Sequence, residues 1–73
     1  MTQEEDISEL KDTFAKRLSH AKLVVSHRKD KLYFRTEGCY KVEGWQIIEL
    51  YFPDIILIKC DYSKLNYSYR YAP

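Results

Sequence analysis

Two histidines and two cysteines, His20, His27, Cys39 and Cys60, are the side chains here that hold zinc or supply a thiolate nucleophile. Their spacing argues against both. Structural zinc sites draw ligands in close pairs, whereas here six residues separate the histidines and twenty the cysteines. A Cys39–His27 couple also needs an oxyanion hole and a pocket, and no segment announces either. Glu43 and Glu49 come nearest to paired carboxylates, but acids alternating along a strand are most simply solvent-facing. The two glycines, Gly38 and Gly44, build no phosphate-cradling loop. The expectation is a non-enzymatic chain with no metal and no cofactor, its cysteines reduced thiols rather than a disulfide.

What remains is the chemistry of contact. Tyrosine occurs seven times, at Tyr33, Tyr40, Tyr51, Tyr62, Tyr67, Tyr69 and Tyr71, and never in the first 32 residues. With Trp45, Phe34 and Phe52 added, the second half carries more amphipathic ring surface than so small a core is expected to hide, which points to a partner. Charge is also segregated. Residues 1–12 hold five acids and one base, and residues 13–35 hold seven bases and one acid. The basic block of Lys16, Arg17, Lys22, Arg28, Lys29, Lys31 and Arg35, with His20 and His27 beside it, suits phosphate or an acidic protein surface. A solvated face plus a helix C-terminus is the plainer reading of the same charges.

The elements that must position these groups follow from periodicity. Thr2 and Glu5 match a capping box, and Ile7, Leu10, Phe14 and Leu18 recur at spacings of three and four, predicting an amphipathic helix over about residues 3–19. From Leu23 the period drops to two. Leu23, Val25 and His27 alternate with Val24, Ser26 and Arg28, and beyond a Lys29–Asp30 corner Leu32, Phe34 and Thr36 alternate with Tyr33, Arg35 and Glu37, so residues 23–37 read as a β-hairpin. Residues 39–43 read as a short third strand or a loop. Residues 45–52 fit both periods, and their ring content favours a strand with Ile48, Leu50 and Phe52 on one face. Pro53–Asp54 ends that element and leads into residues 55–61, a β-branched run suited to a central strand covered on both faces. After a Ser63–Lys64 corner, Leu65, Tyr67, Tyr69 and Tyr71 alternate with Asn66, Ser68 and Arg70. Such a row of phenols either closes a core edge or makes a sticky face for another chain.

These elements predict an α+β fold: one N-terminal amphipathic helix packed on an antiparallel sheet of four or five strands, a single domain over residues 1–73. The expected core is Ile7, Leu10, Phe14, Leu18, Leu23, Val25, Leu32, Phe34, Ile48, Leu50, Ile56 and Ile58. A 73-residue chain buries only about 60–65% of its unfolded surface, which makes a homodimer the expected state. No apolar run approaches the ~20 residues that span a bilayer, and the acidic, polar start lacks the pattern of a secretory signal, so a cytoplasmic protein without membrane contact is expected.

In its size, its Ile-, Lys- and Tyr-rich composition and its charged helix followed by compact β-structure, the chain resembles small proteins that phages of low-GC bacteria make to inhibit host enzymes. The resemblance implies a protein-binding module that blocks a nucleic-acid-processing machine of the host, such as a replication clamp or a polymerase. The expected partner surface is Tyr67, Tyr69, Tyr71, Tyr51 and Trp45 with Arg28, Lys29, Lys31 and Arg35. The alternative expectation is direct nucleic-acid binding, with Arg28, Lys29, Lys31 and Lys22 holding phosphates and the strand aromatics stacking bases, although no RNP-type pattern of glycine between aromatics is present.

Phe14, at the centre of the helix stripe, gives the first test. Phe14→Ala should cost about 3–5 kcal/mol, enough to unfold a domain of this size. A variant that keeps the wild-type melting temperature would show that the stripe faces a partner instead of a core.

Overall fold

The computed structural model describes residues 3–72. Its elements run α1 (Gln3–Arg17), β1 (Lys22–Arg28), β2 (Lys31–Glu37), α2 (Lys41–Tyr51), β3 (Ile55–Asp61) and β4 (Asn66–Tyr71). All four strands join one antiparallel sheet in the order β1-β2-β4-β3. The class is α+β with the amphipathic helix leading, as the periodicity indicates. Glu4, Glu5 and Asp6 occupy the first turn of α1 and Lys16 and Arg17 its last, complementing the helix dipole at both ends, while Ile7, Leu10 and Phe14 are buried. The Thr2 half of the expected capping box lies outside the described residues.

Residues 45–51 are helix, not strand, with Phe52 as the C-cap, and residues 41–43 belong to the same helix. The cause is topological. β4 pairs antiparallel with both β2 and β3, which leaves β2 and β3 parallel with a strand between them. The chain from Glu37 to Ile55 must therefore pass over β4 to reach the far edge, a connection that parallel crossovers normally make with a helix. Gly44, Ile47 and Ile48 face inward at helical spacing, and Leu50, expected in the core, is 65% exposed. The N–H of Phe52 donates the last helical bond, to the Ile48 carbonyl at 2.9 Å, and Pro53 prevents another turn. Gly44 lets α2 lie close on the sheet: a Cβ there would come within 3.2 Å of Thr36 Cγ2 and 3.4 Å of Cys39 Sγ.

The second correction concerns β3, which is an edge strand open on one face rather than a covered central one. Ile56 and Ile58 are exposed, while Ile55 is buried. The central places belong to β2 and β4. The alternation of β4 turns Tyr67 and Tyr69 under the helices, where they are 1% and 0% exposed, so neither is available as a partner surface. Tyr71 is half-buried against Phe52, ring centroids 5.0 Å apart. Both helices and the inner sheet face thus share one core, with Phe34 on Phe52 at 4.8 Å and Trp45 edge-on to Tyr69 at 5.4 Å. Leu23 and Val25, on the other edge strand, are half-buried against it.

Burial pushes the Tyr69 phenol up to about 12, and Thr36, whose hydroxyl lies 3.5 Å away, offsets this only in part. An unfolded tyrosine ionises near 10, so the folded chain keeps its proton longer than the unfolded one. Stability is whole below pH ~10 and falls by about 2–3 kcal/mol as pH rises to ~12. Tyr69→Phe should flatten this alkaline loss in denaturant titrations at pH 9 and 11.5. Parallel losses in variant and wild type would place the sensitivity elsewhere.

Candidate functional site

With one sheet face beneath the helices, the register assigns the residues of the open face row by row. Lys22, Glu37, Asn66 and Asp61 make one end row, followed by Val24, Arg35, Ser68 and Lys59, then Ser26, Tyr33, Arg70 and Ile56, with Arg28 and Lys31 closing the β1–β2 hairpin. A bulge between Leu57 and Lys59 leaves Ile58 as an extra residue beside Lys59. The face is slightly hollow. A depression of about 240 Å³ is lined by Val24, Ser26, Arg28, Tyr33, Arg35, Ile58, Lys59 and Ser68. A second, of about 330 Å³, shares Arg35, Lys59 and Ser68 and extends to Asp61, Lys64 and Asn66.

The two layers differ in charge. The helices hold Glu4, Glu5, Asp6, Glu9, Asp12, Glu43 and Glu49 against Lys11, Lys16, Arg17 and Lys41, a net of −3. The strands with their hairpin corners hold Lys22, Arg28, Lys29, Lys31, Arg35, Lys59, Lys64 and Arg70 against Asp30, Glu37 and Asp61, a net of +5. Two of those acids are already engaged. Glu37 pairs with Arg35 at 3.2 Å, a half-exposed bridge worth at most about 1 kcal/mol. Asp61 Oδ1 accepts from the Ser63 hydroxyl at 2.7 Å and from the N–H groups of Ser63 and Lys64 at 3.2 and 3.3 Å. The serine hydroxyl above all holds the Asp61 carboxyl below its ordinary value. The Arg28 guanidinium carbon lies 5.9 Å from the centre of the Tyr33 ring, within cation–π range. Arg70 Nε is buried and has no hydrogen-bond partner among the described residues.

The expected site residues divide between the layers. Arg28, Lys31 and Arg35 meet on the open face, and Lys29 stands at its hairpin corner with φ 57°. The aromatic members do not join them. Besides the buried Tyr67 and Tyr69, Tyr51 is half-buried in a helix–helix tie, its hydroxyl 3.0 Å from that of Thr13. Trp45 covers Tyr69 and donates its indole N–H to Glu49 at 2.8 Å. A stacking platform built from Phe34 and the tyrosine row is therefore absent from the open face, where Tyr33 is the ring. Lys59, Arg70, Ile56 and Ile58 are among the members of the face that the expected site did not include. Alternation opposite Tyr69 and Tyr71 is the signal that marks Arg70.

The zinc and nucleophile candidates are not brought together. His27 pairs with Leu32 at one end of β2, and Cys39 follows Glu37 at the other, roughly 16 Å away along the strand. Both cysteines are free thiols, and burial, the larger cause, with Glu43 nearby pushes the Cys39 thiol up and keeps it protonated. Among the described residues no group of three or more His, Cys, Asp or Glu side chains is placed to hold a metal ion, and no helix is long and apolar enough to cross a membrane. Comparison with protein-family models, curated proteins and solved structures finds no match to this chain.

Arg70→Met removes a buried N–H that has no acceptor while keeping the apolar stem. Stability measured by chemical denaturation should stay within about 1 kcal/mol of wild type or rise. A loss above about 2 kcal/mol would show that the guanidinium holds the sheet together.

Proposed function

We propose that this chain is a non-catalytic module that binds nucleic acid on the open face of its sheet. The observation that carries this reading is the convergence of cations from all four strands on one hollowed face around Tyr33, with the excess of acids on the helix layer. A phosphate backbone is a row of anions, and lysine and arginine supply its affinity by displacing condensed counterions. The protein-contact expectation combined five rings with the hairpin cations, and two of those rings, Tyr67 and Tyr69, lie in the core.

A protein partner with an acidic surface is the second reading, favoured by Ile56 and Ile58, which are 43% and 48% exposed beside Lys59. A blocking role against a nucleic-acid-processing machine would use the same face. Neither sheet edge favours a second copy: β1 is bounded by Lys22 and Arg28, and β3 is broken by its bulge and carries Lys59.

Salt dependence tests the proposal. Arg28→Ala and Lys59→Ala should each lower the slope of log affinity against log salt by about 0.7–0.9, by the same amount on any sequence. If neither DNA nor RNA binds near physiological salt, the nucleic-acid reading is lost and the acidic-protein reading takes the face.

A further inference from the structure

We infer that the nucleic acid held on this face is single-stranded, with a base stacked on Tyr33; the inference rests on the nucleic-acid reading above. Shape is the first argument. Elements that read a duplex project into a groove, and the major groove is ~12 Å wide. Four strands at ~4.8 Å spacing put the outer two ~14 Å apart before side chains are added. The face is moreover hollow, with depressions of about 240 and 330 Å³ side by side.

Surface chemistry is the second argument. Tyr33 is half-buried at the middle of the face, with Arg28 at 5.9 Å from its ring centre and Arg70 directly opposite on β4. The Arg28 guanidinium lies over the ring, so a base that stacks on that face takes its place and leaves it beside one flanking phosphate, with Arg70 opposite for the other. Val24, Ile56 and Ile58 share the same face. A duplex keeps its base faces stacked inside and shows phosphates and groove edges, which leaves these apolar groups without a complementary surface. A single strand splays bases and sugars onto them, and stacking tolerates any base because each has a π-face. One ring stacks one base, so the affinity expected is modest, salt-sensitive and largely independent of sequence.

The experiment is fluorescence anisotropy at ~0.15 M salt, with a labelled oligothymidylate of about a dozen nucleotides, a blunt duplex of the same length and heparin as a polyanion without bases. Wild type should bind the single strand about tenfold or more tighter than the duplex. Tyr33→Leu and Tyr33→Thr should each lose about fivefold or more on the single strand and nothing on heparin, and Tyr33→Phe should keep full affinity. Equal affinity for single strand and duplex, or leucine and threonine variants that melt normally and bind oligothymidylate as tightly as wild type, would overturn the single-strand assignment while leaving nucleic-acid binding in place. Failure to bind any of the three probes overturns both.

Discussion

The burial of Tyr67 and Tyr69 is the constraint from which the rest of the architecture follows. Each phenol offers a large apolar ring, and hiding two of them on neighbouring inward positions of β4 requires a strand with partners on both sides and a helix layer above. That places β4 between β2 and β3, obliges the segment linking β2 to β3 to pass over β4, and makes that segment a helix. The crossing in turn needs Gly44, because α2 passes over Thr36 and Cys39 at distances where a Cβ leaves almost no clearance. Even the polar atom at the centre fits this frame: the Tyr69 hydroxyl sits in the core with the Thr36 hydroxyl at 3.5 Å, a contact at the outer limit of a hydrogen bond.

Local rules made several elements legible and failed where distant pairing decided the outcome. The stripe Ile7–Leu10–Phe14 and the alternation across Lys29–Asp30 each specify a single period, and α1 and the β1–β2 hairpin stand where those periods put them. Residues 45–52 fit both periods, and local spacing could not choose. The choice was made by strand order, which arises from pairings between residues 30 or more apart, such as Phe34 with Tyr69. Strand order also explains why Ile56 and Ile58 lie outside the core despite their type: a β-branched run suits a covered strand, but β3 has one neighbour and no layer over its outer face.

The candidate site was half legible for the same reason. That Arg28, Lys31 and Arg35 share a side follows from alternation within one hairpin. That Arg70 and Lys59 extend this side across the whole sheet follows only once β4 is known to lie beside β2. Of the expected aromatic surface, Tyr67 and Tyr69 took the other course left open for a row of phenols, closing the core rather than facing a partner. In the folded chain their strand has a partner on each side and no exposed residue.

A net charge of only +1 is compatible with a polyanion ligand because of where the charges sit. The same two-residue period that sends Tyr67 and Tyr69 inward sends Ser68 and Arg70 outward, so the core and the basic face are two sides of one pattern. The helices that cover the core carry the acids on their solvent side. Even the shortest dimension of the molecule, 17 Å, is about two Debye lengths at physiological salt. Across that distance the helix acids screen the basic face weakly, and a ligand approaching the sheet meets a local charge near +5 rather than the molecular +1. The segregation also gives the molecule an electrical axis, which would turn the open face toward an anionic ligand of the kind proposed. Orientation of this kind raises the rate of productive encounter without any added contact area, which matters most for a surface with a single stacking ring.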